Sequence, residues 1–253
     1  MVEYMAPKSL KEAIKALTVK KGRKVILSGG QVVTNQIVKG TLFPDTVLDI
    51  TRIPELKEIR VEENSVFLGA CLTHTNILNS HIVEESLPAF YQAAGTIGDL
   101  QVRNRATIGG TICDANLSGD YWGGWYLTNA LVWIRSKTIL KKVPIKELVK
   151  GQNNLYLKSD ELILGIEIPK IHNSVYIKFY LKSRQMLGVT IVNEKVAITG
   201  IKEYPMIIDL YRTNITELFD YTSISKYKKY KISMVQHILN QFKGGLKDEN
   251  RLI

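Results

Sequence analysis

The hydrophobic pattern changes period several times along the chain, and each change marks an element. Leu10, Ala13, Ile14 and Leu17 recur at the spacing of one helical face, which predicts a helix over residues 9–22. Ser9 in front of that face and Glu12 three positions on form a capping box, and Gly22 supplies the stop. The pattern then shortens. Lys24–Ser28 (KVILS) reads as a β-branched strand, Gly29-Gly30 turns the chain, residues 31–40 begin a second helix, and Thr46–Ile50 is the next strand after a Pro44-Asp45 turn. Strand, paired glycine, helix and strand in that order make a phosphate-cradling kind of unit.

Further on, Val66–Thr73 reads as a strand, and residues 74–80 and 86–97 read as helices. Residues 101–120 (QVRNRATIGGTICDANLSGD) read as a long loop. Ala130–Ile134, Ile139–Ile145 and Glu161–Lys170 read as strands, the last closed by Pro169. The polar stretch Lys170–Ser174 marks a boundary. Beyond it, residues 175–182, 189–201 and 206–211 predict antiparallel strands. Ser233–Phe242 predicts a terminal helix, with residues 244–253 as its frayed end. No internal repeat is visible. The reading is an α+β protein in two parts, residues 1–171 and 172–253.

Composition narrows the function. The chain has 253 residues, 45% hydrophobic and 23% charged, which is a globular balance. No apolar run reaches the ~18 residues of a membrane span, and the charged start lacks a signal-peptide core, so a cytoplasmic protein is expected. The net charge of +10 fits a nucleic acid, an acidic membrane surface, an anionic cofactor or an acidic partner protein. Cys71 and Cys113 are too few for an iron–sulfur cluster, and His74, His81, His172 and His237 share no ligand spacing, so no metal is expected. His74 reads as structural and His237 as a helix-face residue. No catalytic side chain is evident, so redox chemistry here needs an organic cofactor or a partner's metal. The lysines between Lys226 and Lys231 (KYKKYK) keep a nucleic-acid module as an alternative, although no aromatic-basic RNA signature accompanies them.

Candidate chemistry concentrates at two glycine pairs, Ser28-Gly29-Gly30-Gln31 and Thr107-Ile108-Gly109-Gly110-Thr111. Glycine admits positive φ and close approach, and successive amides in such a turn form a nest for phosphate oxygens. Neither stretch is a Rossmann fingerprint or a Walker loop. Asp120 is placed to accept hydrogen bonds from ribose hydroxyls or to serve as a turn residue, and Asp114 is a candidate of the same kind. Arg103 and Arg105 can offset phosphate charge or pair with surface acids.

These residues carry a resemblance. QVRNRATIGG, with the preceding AAGTIGDL, resembles the second FAD-binding segment of flavoprotein subunits in the molybdenum hydroxylase family, the group of xanthine dehydrogenase, carbon monoxide dehydrogenase and aldehyde oxidoreductase. ILSGGQVV resembles the first segment, usually AGGTDL or AGGHSL. YMAPKSLKEAIKAL, LDITRIPELKEIR, FLGACLTHTNI, SDELILGIEIPK and YLKSRQ resemble further family blocks in the same order, over residues 1–200.

The resemblance implies an FAD-binding fold of the vanillyl-alcohol-oxidase/PCMH type. Its two subdomains would span residues 1–55 and 56–171, followed by a smaller C-terminal sheet-plus-helix domain. It implies that Ser28, Gly29, Gly30, Gln31, Val32 and Val33 wrap a pyrophosphate and that Thr107, Ile108, Gly109, Gly110 and Thr111 complete the wrap. Asp120 would lie near the adenosine part, with Asp114 in the same set, Ile163 beside the cofactor, and Lys182 near the flavin carbonyl edge. Lys178, read there as part of a helical segment, is a rival to Lys182. Gln31 and Val32 stand where the family carries Thr/His and Asp/Ser, so two polar side-chain contacts are altered while backbone contacts survive.

The implied role is an FAD-binding electron-transfer subunit, taking electrons from 2Fe–2S clusters and passing them to an external acceptor. The clusters and the molybdopterin would sit only in partner subunits of a hetero-oligomer, with no nucleic acid and no membrane span. A free-standing flavin oxidase is a second alternative.

Overall fold

The computed structural model describes residues 2–19, 22–181, 184–213, 215 and 226–245. Three larger sheets follow one another along the described residues. The first is parallel, formed by β1 (Glu3–Met5), β2 (Lys24–Leu27) and β3 (Thr46–Asp49) in the order β1-β3-β2. All four residues of β3 are buried because it lies between the other two. Helix α1 (Leu10–Val19) covers this sheet with Ala13, Ile14, Ala16 and Leu17, the face its periodicity predicted. Ser9 caps it, its hydroxyl accepting from the Glu12 amide at 3.3 Å. The Glu12 carboxylate reaches the Lys8 amide at 2.9 Å, one residue before the partner a capping box specifies. Helix α2 (Val33–Val38) buries no residue, so it is held by its neighbours in sequence and not by a core face.

The second sheet is antiparallel, in the order β4-β5-β10-β6-β7. Its strands are β4 (Ile59–Val61), β5 (Ser65–Gly69), β6 (Leu131–Arg135), β7 (Leu140–Pro144) and β10 (Leu162–Pro169). A small hairpin, β8 (Val149–Gly151) with β9 (Asn154–Leu155), precedes β10. The near-continuous apolar run of β10 has its reason in this position, since the strand is paired on both edges at the centre of the sheet.

The excursion between β5 and β6 carries six helices: α3 (His74–Leu78), α4 (His81–Ser86), α5 (Pro88–Thr96), α6 (Leu100–Arg105), α7 (Ile108–Asp114) and α8 (Trp122–Thr128). The third sheet is a meander of β11 (Ser174–Leu181), β12 (Arg184–Val192), β13 (Lys195–Thr199) and β14 (Met206–Asp209).

A short helix α9 (Ile145–Leu148) ends the β7 segment, and α10 (Lys226–Gly245) is the last described element. Two apolar clusters result. The larger runs from Ala13 to Tyr176 and fills the space among the first two sheets and the helical excursion. The smaller joins Leu187, Val189, Val196 and Ile198 of the meander to Ile232, Val235, Ile238 and Leu239 of α10.

Residues 101–120 are not a long loop. Asp99 caps α6 by accepting from the Val102 amide at 2.8 Å, and Thr107 caps α7 by accepting from the Gly110 amide at 3.2 Å. Two adjacent glycines lower helix propensity by about 1 kcal/mol each, which disguised α7 in the sequence. The terminal helix begins at Lys226, ahead of Ser233, and it continues through Gly244 and Gly245, which were expected to fray.

Glu167 ties four strands together. From β10 its carboxylate accepts from Trp133 Nε1 of β6 at 2.9 Å, Lys142 Nζ of β7 at 2.8 Å and Ser65 Oγ of β5 at 3.0 Å. Burial opposes its charge. The bonds from Lys142, Trp133 and Ser65 prevail and hold its pKa below the ordinary value. Glu167→Ala strands these donors and is expected to cost about 1–3 kcal/mol in urea unfolding. Unchanged stability would show that the sheet does not depend on this junction.

Candidate functional site

The site begins where β2 ends. Ser28 Oγ lies 3.0 Å from Thr107 Oγ1 and donates to Cys71 Sγ at 3.4 Å, so three distant segments meet at one hydroxyl. At Gly29 the approach is closer still. A Cβ there would lie 1.9 Å from the carbonyl oxygen of Arg105, a distance no side chain tolerates. Gly30 turns the chain with φ +75°, and Arg105 Nε reaches the Gly29 carbonyl at 3.4 Å. The first glycine turn therefore lies against the backbone of Arg105, 76 residues on and two residues before the second glycine stretch.

They do different work. Gly109 and Gly110 lie in the first turn of α7, not in a turn between elements, and the nest expected there is not present. The amides of Ile108 and Gly109 donate to the carbonyls of Leu72 and Ala70 at 3.0 and 2.8 Å. Those of Gly110 and Thr111 donate to Thr107, through its hydroxyl and its carbonyl. A Cβ on Gly109 would lie 2.8 Å from the Ala70 Cβ, so this glycine serves close packing of α7 on the chain after β5. By contrast, no protein acceptor among the described residues takes the amides of Gly29, Gly30, Gln31 and Val32.

A cleft of about 660 Å³ opens beside this junction. Ser28 through Val33 line it, as do Thr107, Gly109, Gly110, Thr111 and Asp114, and Asp120 and Ile163 line it as well. Ile108 is turned into the core instead, 1% exposed. Lys182 lies outside the described residues. Ile26, Ile50 and Leu162 add apolar surface. Burial raises the pKa of Asp114.

Asp120 is held by residues that sequence reasoning did not assemble. Its carboxylate pairs with Lys178 Nζ at 2.9 Å and accepts from the Tyr176 hydroxyl. Lys178 is buried, lies in β11 and not in a helix, and also donates to the Thr96 carbonyl at 2.9 Å. Burial and the Asp120 charge push the Tyr176 hydroxyl far above its ordinary pKa. The sequence shows that Tyr176 and Lys178 sit two apart on a strand and so share a face, but nothing local names Asp120 as their partner.

His74 is buried on the cleft wall with Nδ1 3.1 Å from the Tyr121 hydroxyl. Burial, and then the charge of Arg103, lower its pKa to about 4. Arg103 turns back to the carbonyls of Ile97 and Gly98 at 3.2 and 3.3 Å.

Comparison with known proteins agrees with this geometry. Residues 1–171 match the family described as the FAD binding domain in molybdopterin dehydrogenase. The glyceraldehyde dehydrogenase medium chain of Sulfolobus acidocaldarius is 33% identical over 177 residues, covering 69% of this chain and 63% of that one. The nicotinate dehydrogenase FAD-subunit of Eubacterium barkeri is 30% identical over 203 residues, covering 78% and 68%. The chain thus spans about two thirds of the length of these relatives. A solved chain of carbon monoxide dehydrogenase from Hydrogenophaga pseudoflava superposes with a TM-score of 0.76 over 95% of both chains at 23% identity, which shows a shared mixed α and β fold. Among the described residues no helix is long and apolar enough to cross a membrane.

Two outcomes follow from the junction and from the buried histidine. Gly29→Ala forces apart two backbones and is expected to cost about 1–3 kcal/mol in thermal or urea unfolding. Gly95→Ala, whose Cβ would meet only Leu78 Cδ2 at 3.6 Å, is the control and should be neutral or stabilising. Equal effects would contradict the contact.

Unfolded His74 takes up a proton near its ordinary value of 6.5, folded His74 only near 4. Stability is therefore full above pH 6.5 and falls by about 3 kcal/mol as pH drops to 4. His74→Asn should flatten unfolding free energy across that window, and an unchanged slope would assign it to other groups.

Proposed function

The chain belongs to the family of FAD-binding domains of molybdopterin dehydrogenases, and on that premise we propose that it is the flavoprotein subunit of a molybdenum hydroxylase complex. In this reading it takes electrons from 2Fe–2S clusters of a partner subunit and passes them to an external acceptor. A molybdopterin-binding subunit completes the hetero-oligomer and selects the substrate. The fold is read as the vanillyl-alcohol-oxidase/PCMH type. Its cofactor domain spans residues 1–171, with subdomains 1–55 and 56–171, and residues 172–253 form a C-terminal domain.

One observation carries the reading: two glycine stretches far apart in sequence, together with Asp120 and Ile163, line a single cleft. Its volume falls in the range of roughly 300–1,000 Å³ that ligand sites occupy. The residues fit a dinucleotide. The amides of Gly29, Gly30, Gln31 and Val32 supply donors without acceptors for a pyrophosphate, and they survive the change to Gln31 and Val32 because they belong to the backbone. Val33 extends that wall.

Thr107 and Thr111 bring hydroxyls to the same edge of the cleft, and Gly109 and Gly110 leave it free of side chains. Asp120, oriented by Lys178 and Tyr176, offers carboxylate oxygens to ribose hydroxyls. Asp114 belongs to the same polar lining. Ile26, Ile50 and Ile163 exclude water from an apolar ring. Lys178 joins the cofactor region because it contacts a cleft residue, and Lys182, matched to the flavin carbonyl edge, lies outside the described residues. FAD, when bound, supplies the exchange between one-electron carriers and a two-electron acceptor.

The test is the visible absorption spectrum of the purified chain, with the released cofactor weighed by mass spectrometry. A flavin spectrum, or uptake of added FAD in a one-to-one titration, is expected. A colourless chain that takes up no FAD but binds nucleic acid in a salt-sensitive way would contradict the proposal.

A further inference from the structure

Arg103 and Arg105 are separated by one residue, and the fold gives them opposite tasks. Arg103 is half-buried and spends its guanidinium on the carbonyls that end α5 and begin the next turn. Arg105 is exposed, and among the described residues no carboxylate pairs with it. Its position is nevertheless fixed. The Arg105 carbonyl occupies the space that a side chain on Gly29 would fill. Arg105 Nε reaches the Gly29 carbonyl at 3.4 Å, and Nη2 lies 3.6 Å from where a Cβ of Gly30 would stand. The guanidinium therefore spans the outside of the turn whose amides have no acceptor.

We propose that Arg105 is a specificity-determining residue that supplies the fixed positive charge for the diphosphate of a dinucleotide flavin at the Gly29-Gly30 turn. The inference rests on the functional reading above and deepens it. Backbone amides alone give a nest of partial charges, whereas a guanidinium adds a planar fork matched to phosphate oxygens and a full charge. Gln31 and Val32 bring neither a charge nor a hydroxyl to this turn, whereas Arg105 places a guanidinium against it. Selection would then act on the diphosphate itself. FAD has one and riboflavin has none, so the two flavins separate the contribution of Arg105 from that of the apolar cleft.

The experiment is equilibrium titration of the full chain and of Arg105→Gln with FAD and with riboflavin, at rising salt. Arg105→Gln is expected to weaken FAD about tenfold, the size of one charge-assisted hydrogen bond, and to leave riboflavin unchanged. FAD affinity of the unmodified chain should fall with salt more steeply than that of the variant. Arg105→Lys, which keeps the charge and loses the fork, should lie between the two.

The salt comparison between FAD and riboflavin on the unmodified chain needs no variant to fold. A salt-insensitive FAD affinity there overturns the proposal. So does an Arg105→Gln chain that binds FAD like the unmodified one, or that loses FAD and riboflavin by the same factor, which would mark a purely structural role. An unmodified chain that takes up neither flavin overturns the functional reading, and this inference with it.

Discussion

The contact on which the site depends is between two backbones. Gly29 lies against the Arg105 carbonyl so closely that a methyl group has no room, and Ser28 and Thr107 join hydroxyls beside it. This contact brings the turn after β2 and the start of α7 to one edge of the cleft. It is made possible by position on both sides. The edge strand β2 of the parallel sheet ends at Leu27, and α7 is anchored by amide bonds to Ala70 and Leu72 just beyond β5. Each side of this contact is thus an extension of a sheet.

The consequence is a division of labour between stretches that look alike on paper. The first presents amides and the second presents a surface without side chains, because its own amides are consumed in fixing it. The third sheet contributes at the far end. Lys178 and Tyr176 of β11 reach Asp120, and a buried ion pair of this kind is tolerable only because Thr96 and Tyr176 satisfy what the pair leaves over. The C-terminal meander is therefore coupled to the cleft through one carboxylate.

Much of this was legible in the sequence, and the reasons for the rest are physical. The apolar face of α1, the strands at residues 24–28 and 46–50, and the central strand at 161–170 follow from periodicity, which local physics dictates. The glycine stretches were recognisable as special, since paired glycines after a strand or before a helix are costly without a purpose. What each glycine does was not legible, because close approach at Gly29 and helix packing at Gly109 depend on partners 76 and 39 residues away in sequence. Helix α7 was hidden by its own glycines. The Asp120–Lys178 pair was out of reach for the same reason as Gly29: no local pattern announces a contact across 58 residues.

In the proposed site the open amides of the first glycine turn, and not the occupied ones of α7, receive the phosphates. A crystal structure of the chain with FAD tests it most directly. Diphosphate oxygens are expected within hydrogen-bonding distance of the amides between Gly29 and Val32, with the rest of the cofactor running along the cleft past Asp120 and Ile163. A diphosphate seated away from that turn, or FAD bound outside the cleft, would contradict it.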